Sequence, residues 1–185
     1  MLYYVTGNQN KIAVAKQFLD PDGVDFHPHP LELTEIQSHS IKEIARDKAQ
    51  KAYKKLQHPL FVNDHGWSIT ALNGFPGAYM KYMNEWLLPQ DFLNLMQDKK
   101  EREVFLTEVI CYIDEHGLKI FSEKYYGKML HEVQGDGRPA TTIISLTEDN
   151  VSIAKKLETN PSALEKRSVW RDFATWYKLH KANQK

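Results

Sequence analysis

The first twenty residues or so restrict the possible folds more than any other part of the chain. Leu2-Tyr3-Tyr4-Val5 is a short apolar, β-prone run that stops abruptly at Thr6-Gly7-Asn8. From Lys11 to Leu19 the pattern changes, with Ile12, Ala15, Phe18 and Leu19 at helical spacing. A run of this kind bounded by turn residues reads as a buried strand, and the periodic stretch after it as an amphipathic helix. A strand feeding directly into a helix points to a sheet with helices packed on it. Asp20-Pro21-Asp22-Gly23 ends the helix with residues that disfavour its continuation.

The same alternation continues. Val24-Asp25-Phe26 is extended and leads through His27-Pro28-His29-Pro30 to Leu31–Gln37. From Ile41 to Leu56, residues Ile41, Ile44, Ala45, Lys48, Ala49 and Ala52 fall on one stripe, which predicts an amphipathic helix. Leu60-Phe61-Val62 reads as a short strand ending at Asn63-Asp64-His65-Gly66, and Trp67–Leu72 as briefly extended before a Gly74-Phe75-Pro76-Gly77 turn. Helices are expected over about Tyr79–Leu88 and Pro89–Gln97, and strands over Glu103–Asp114, Leu118–Lys128 and Thr141–Leu146. From Val169 onward, Trp170, Phe173, Ala174, Trp176 and Tyr177 have the spacing of a C-terminal helix packed on the body. Parallel units first and antiparallel strands later give a mixed α/β protein, a twisted central sheet with flanking helices.

A length of 185 residues suits a single domain, here read as residues 1–185 with two lobes. Lys+Arg and Asp+Glu both number 24, so no global field favours a polyanion, and no nucleic-acid polymer is expected as partner. A small charged ligand held by a few placed groups is easier to support. The lone Cys111 sits in the run Glu108-Val109-Ile110-Cys111-Tyr112-Ile113 and reads as a core residue. Neither a signal peptide nor a membrane span is evident, which gives the expectation of a cytoplasmic protein with no membrane partner. His27, His29, His39 and His65 lack the spacing of a zinc site, although His65 adjoins Asp64 and could tune a water contact.

Three constellations carry candidate chemistry. Thr6-Gly7-Asn8 followed by Lys11 joins a strand to a helix, where backbone N–H groups and the helix dipole attract anions and a lysine adds a point charge. By itself it reads equally well as a plain turn with Asn8 as helix N-cap. Glu35 and Asp64 stand at the boundaries of ordered segments, and Mg²⁺ asks for only one or two carboxylates before water and substrate phosphates complete its shell. The rigid turn Gly74-Phe75-Pro76-Gly77 precedes a helix carrying Lys81, which could reach a phosphate.

Taken in order, these segments resemble the inosine triphosphate pyrophosphatase family, enzymes that remove deaminated purine nucleoside triphosphates such as ITP, dITP and XTP. The matching residues are Thr6-Gly7-Asn8 with Lys11; Glu35-Ile36-Gln37 with Glu43-Ile44-Ala45 and Lys48-Ala49; Phe61-Val62-Asn63-Asp64 with Gly66; and Ala71-Leu72-Asn73-Gly74-Phe75-Pro76-Gly77-Ala78-Tyr79 with Lys81. The resemblance implies an elongated two-lobed α/β fold of the Maf/Ham type, a homodimer, and Mg²⁺-dependent hydrolysis of nucleoside triphosphates to monophosphate and pyrophosphate. It implies that Thr6, Gly7, Asn8, Lys11, Lys48 and Lys81 bind substrate, that Glu35 and Asp64 hold the metal, and that Asp64, Lys11 and Lys48 are catalytic. Asp64 would orient or deprotonate the attacking water.

The second half departs from the family pattern. Where family members carry Phe-Gly-Trp/Tyr-Asp, this chain has Gly135-Asp136-Gly137-Arg138-Pro139-Ala140-Thr141-Thr142. Where they carry Ser-His-Arg, it has Ser168-Val169-Trp170-Arg171, which makes Trp170 and Arg171 the candidates for contact with the base. Trp170 reads either as a core residue or as a base-stacking one. These departures leave a second functional class open, a nucleotide-binding protein of the same fold with altered catalysis.

Overall fold

A computed structural model describes residues 1–160 and 167–183. In chain order the elements are β1 (Tyr3–Tyr4), α1 (Gln9–Leu19), β2 (His27–Pro28), α2 (Ile41–Leu56), β3 (Leu60–Ile69), β4 (Pro76–Gly77), α3 (Met80–Trp86), α4 (Pro89–Leu95), β5 (Glu103–Asp114), β6 (Gly117–Met129), α5 (Pro139–Ile143), β7 (Ile144–Ser145), α6 (Ile153–Thr159) and α7 (Ser168–Ala182). The strands follow the order β2-β1-β3-β5-β6-β7, with β4 on β3. β1 is parallel to both β2 and β3, with Tyr3 opposite His27 on one side and Leu60 on the other. Parallel neighbours need a crossover, which α1 supplies between β1 and β2, and α2 between β2 and β3. β4 and β7 pair antiparallel with β3 and β6. The fold is thus mixed α/β with helices flanking a mixed sheet.

The chain divides into two compact units: Met1–Asp64, Glu108–Glu123 and Arg167–Lys185 form one, and His65–Thr107 and Lys124–Lys166 the other. In the first, the aromatic residues form the core. Tyr4 stacks on Phe61 at 4.4 Å between ring centroids, and Phe18 lies parallel to Trp170 at 6.3 Å. α7 supplies Trp170, Phe173, Ala174 and Tyr177 to this core, as its sequence spacing predicts, together with Val169, while Trp176 is half-buried. Burial on β5 is continuous from Glu108 to Asp114, as expected of a central strand covered on both faces. Cys111 lies fully buried here, and burial pushes its thiol up to about 12. The second unit has its own core, which includes Trp67, Phe92, Met96, Leu106, Ile143 and Ile153.

Several segments differ from the sequence expectation. Thr141–Leu146 is not one strand, because α5 takes Pro139–Ile143 and only Ile144–Ser145 extends. Pro139 stands in the first turn of α5, where its missing N–H costs nothing, and the hydroxyls of Thr141 and Thr142 donate to the carbonyls of Arg138 and Pro139. These local bonds override the β preference of the threonines. Likewise β3 does not stop at Val62; it runs on through Asn63 and Asp64 to Ile69. The short strand β2 follows Val24–Phe26 at His27–Pro28, and α6, capped by the Ser152 hydroxyl accepting from the Lys155 amide at 3.0 Å, has no counterpart in the sequence expectation.

One glycine is fixed by close approach. A Cβ on Gly127 of β6 would meet the backbone oxygen of Ser145 at 2.3 Å, which no side-chain rotation relieves. Gly127→Ala should therefore cost about 1–3 kcal/mol, the range for overpacking, read as a lower urea midpoint at unchanged slope. An unaltered midpoint would mean that the β6–β7 contact yields freely.

Candidate active site

In the first unit, Lys11, Glu35, Lys48 and Asp64 come together. Lys11 leaves the first turn of α1, whose start is set by Asn8: its side-chain oxygen accepts from the amides of Asn10 at 3.0 Å and Lys11 at 3.3 Å. Lys48 lies on the packed stripe of α2 beside Ile41, Ala45, Ala49 and Ala52, so the helix carries its ammonium along the protein body rather than into bulk solvent. Asp64 lies in β3, and its neighbour Asn63 faces the opposite way by the alternation of a strand.

The four groups form one chain of ion pairs. Lys11 Nζ donates to Asp64 Oδ1 at 3.1 Å and to the backbone oxygen of Asn63 at 2.6 Å. Lys48 Nζ donates to Glu35 Oε1 at 2.7 Å and to Asp64 Oδ1 at 3.4 Å. The side chains of Asp64, Lys48 and Lys11 are only 14%, 18% and 20% exposed, whereas Glu35 is 51% exposed. Solvent screens the Glu35 pair most, so Asp64 is the electrostatic centre.

Burial pushes the Asp64 carboxyl up, but the ammonium groups of Lys11 and Lys48 outweigh it and hold the group below the usual carboxylate range. For Lys48, burial pulls downward, and the Asp64 charge with the Glu35 contact more than reverses it, so its pKa is raised. At neutral pH Asp64 is therefore a carboxylate and Lys48 an ammonium.

Both lysines use Oδ1. The other oxygen, Asp64 Oδ2, is buried and has no hydrogen-bond partner among the described residues. An orphaned carboxylate oxygen is costly, and a divalent cation would satisfy it. Among the described residues there is no cluster of three or more His, Cys, Asp or Glu side chains able to hold a metal alone. The donor set, Asp64 with Glu35 nearby through Lys48, fits a hard cation that takes its remaining oxygens from water and a phosphate ligand, not a zinc ion caged by protein.

The Thr6-Gly7-Asn8 turn is built differently from what its glycine suggests. Gly7 is absent from the positive-φ positions, and a Cβ there would sit at ordinary contact distance, 3.7 Å, from Pro30. The backbone conformation at position 7 therefore does not require a glycine. What Gly7 offers is an exposed backbone without a side chain, open to a ligand. The Thr6 hydroxyl accepts from the Asn8 amide at 3.1 Å, and Asn8 spends its side-chain oxygen as the N-cap.

Lys81 belongs to the second unit, exposed on α3, with its ammonium 5.7 Å from the Tyr82 ring centre. Arg171 is exposed on α7. Trp170 is fully buried against Tyr4, Phe18 and Phe61, and its indole N–H donates to Glu108 Oε1 at 3.1 Å. Removing such a ring typically costs about 3–5 kcal/mol, a large part of a domain's stability. Of its two readings, the core one describes this placement.

The sequence reading passed over Asn63 as a site residue and missed Glu108 and Arg167. Asn63 Nδ2 donates to Glu108 Oε1 and to the Val109 carbonyl, both at 3.2 Å, and Arg167 Nη1 donates to the same Glu108 oxygen at 3.2 Å. The available signal was a lone acid at the head of the apolar run Val109–Ile113.

The model of the Ham1 family matches residues 2–139. A dITP/XTP pyrophosphatase of Thermococcus kodakarensis is 30% identical over 179 residues, covering 96% of this chain and 97% of the relative. One of Methanosarcina mazei is 33% identical over 138 residues, 74% of each chain. Among solved structures, the Ham1 protein of Staphylococcus aureus superposes with a TM-score of 0.80 at 19% identity, over 97% of this chain and 98% of that one. The HAM1 protein of Coxiella burnetii gives 0.81 at 19% identity, over 96% and 98%.

The depressed Asp64 pKa has a defined sign in stability. Its contribution is complete above the unfolded carboxylate value, about 3.9, and is lost as pH falls through the lower folded value. The difference in urea midpoint between wild type and Asp64→Asn should thus hold steady down to about pH 4 and then drift toward the variant's favour in more acid solution. A difference independent of pH across this window would contradict the ion-pair assignment.

Proposed function

The chain belongs to the Ham1 family, and from that premise we propose that it is a nucleoside triphosphate pyrophosphatase acting on deaminated purine nucleotides of the ITP, dITP and XTP class. The observation that carries the proposal is Asp64 Oδ1 shared by Lys11 and Lys48 while Oδ2 lies buried without a partner among the described residues. The dITP/XTP pyrophosphatase relatives, aligned over nearly the whole chain, support the substrate class.

Hydrolysis across the α–β bridge consumes one water: its oxygen ends on one of the two phosphorus atoms, and nucleoside monophosphate and pyrophosphate separate. Such reactions depend on positioning and charge neutralisation. Lys11 and Lys48 supply two positive charges to the triphosphate, with the backbone of Gly7 and the turn residues Thr6 and Asn8 at the α1 N-terminus beside them. Asp64 and Glu35 would hold Mg²⁺, which when bound neutralises phosphate charge and acidifies a coordinated water. The lowered pKa makes Asp64 a weak base, so it orients the attacking water and anchors charge better than it abstracts a proton. Lys81 is a further phosphate contact and Arg171 a contact to the base in this reading. The same reading includes a homodimer in the cytoplasm, as the resemblance implies. No described helix is long and apolar enough to cross a membrane.

The test is pyrophosphate release from ITP, XTP, dUTP and ATP, with and without Mg²⁺. ITP and XTP should turn over fastest, and only with the metal. Asp64→Asn should lower kcat at least about a hundredfold, comparable to deleting a key electrostatic group, while circular dichroism stays native. Orthophosphate as the product, or nucleotide binding without any turnover, would overturn the proposal, the latter in favour of a binding protein of the same fold.

A further inference from the structure

Glu108 is fully buried in β5, yet nothing about filling a strand core calls for a carboxylate there. A buried charge is costly unless it is paired and hydrogen-bonded, so a residue of this kind is retained for what it holds. Glu108 Oε1 gathers three donors from two other elements: Asn63 Nδ2 of β3 at 3.2 Å, and Arg167 Nη1 and Trp170 Nε1 from the start of α7 at 3.2 and 3.1 Å. Among the described residues Oε2 has no partner although it is buried, so the contacts they make run through one oxygen.

Asn63 is the element that links this point to the catalytic charges. Its side chain is clamped between Glu108 Oε1 and the Val109 carbonyl, and its own backbone oxygen takes the Lys11 ammonium at 2.6 Å, closer than the 3.1 Å from Lys11 to Asp64. Asp64 is the next residue along β3. Fixing the Asn63 side chain therefore fixes both the carbonyl that aims Lys11 and the peptide that carries Asp64.

We propose that Glu108 is a positioning residue: through Asn63 it holds Lys11 and Asp64 in register, and Arg167 and Trp170 lock the Glu108 carboxylate in place. This rests on the pyrophosphatase reading of the same site. Geometry in a reacting centre tolerates little looseness, since a displacement near 1 Å costs on the order of a hundredfold in rate. Only Oε1 is engaged, so a carboxamide oxygen of equal reach should suffice for the tether.

The test compares Glu108→Gln, Glu108→Ala, Asn63→Ala and the Asn63→Ala/Glu108→Ala double variant. Glu108→Gln should keep kcat and KM within about threefold of wild type, whereas Glu108→Ala and Asn63→Ala should each raise the triphosphate KM and lower kcat at least about tenfold. The double variant should be no worse than the poorer single one, as for two links of one tether. A purely structural role predicts instead a lower Tm with kcat and KM per folded molecule unchanged, and that result would overturn the proposal. So would losses that multiply in the double variant, or a Gln variant as poor as Ala. If Glu108→Ala fails to fold, Asn63→Ala decides, because it leaves Glu108 with Arg167 and Trp170; unchanged kinetics there refutes the tether. A second readout needs no turnover: the Lys11 ammonium resonance, slowed in exchange by its two oxygen partners, should be present in the wild type and Glu108→Gln and lost in both Ala variants. Were the wild type inactive on every nucleotide, the pyrophosphatase reading would fall, while persistence of that resonance in the Ala variants would separately refute the tether.

Discussion

A single carboxylate oxygen, Asp64 Oδ1, is approached by two ammonium groups, and the local architecture of the first unit serves that meeting. The three groups arrive from three different elements: α1 brings Lys11, α2 brings Lys48 and β3 brings Asp64. None can move without leaving a partly buried charge short of a partner, a loss that commonly amounts to a few kcal/mol. Parallel pairing of β1 with β3 places the turn after β1 beside the stretch of β3 that bears Asp64. The helices on either side of the sheet then have little choice of position.

In the proposed reading the arrangement receives a triphosphate and a cation. The two ammonium groups beside Oδ1 answer the needs of a triphosphate, and Oδ2, which has no partner among the described residues, answers those of a cation. Glu35 is held more loosely than the others, since its half-exposed side chain has Lys48 as its ion-pair partner. A loosely held acid can exchange that partner for a metal at small cost. Membership of the Ham1 family and the dITP/XTP pyrophosphatase relatives give this chemistry its direction.

How much of this could be read in the sequence follows from the range of each interaction. Helical periodicity puts Lys48 on the stripe with Ile41, Ala45 and Ala49, and α2 spans Ile41–Leu56 as that periodicity predicts, but only the family resemblance pointed to Lys48 as a site residue. Lys11 and Asp64 were legible through neighbouring turn and strand residues, although β3 continues past Asp64 where a strand end was expected. Asn8 shows the limit of local reading, since its N-cap role and a ligand role look alike in sequence and the structure shows the cap. Glu108 was not legible, because its partners Asn63 and Trp170 are 45 and 62 residues away and only the fold brings them to one oxygen. Pro139–Ile143 misled because side-chain hydroxyl bonds and a proline in the first turn outweighed the propensity of the threonines.

Capturing the loaded site tests the central claim most directly: a crystal structure of the chain with Mg²⁺ and a non-hydrolysable ITP analogue. The account predicts a cation at about 2.1 Å from Asp64 Oδ2, with triphosphate oxygens against the ammonium groups of Lys11 and Lys48. A metal and triphosphate seated elsewhere, with both lysines still on Asp64 Oδ1, would contradict it.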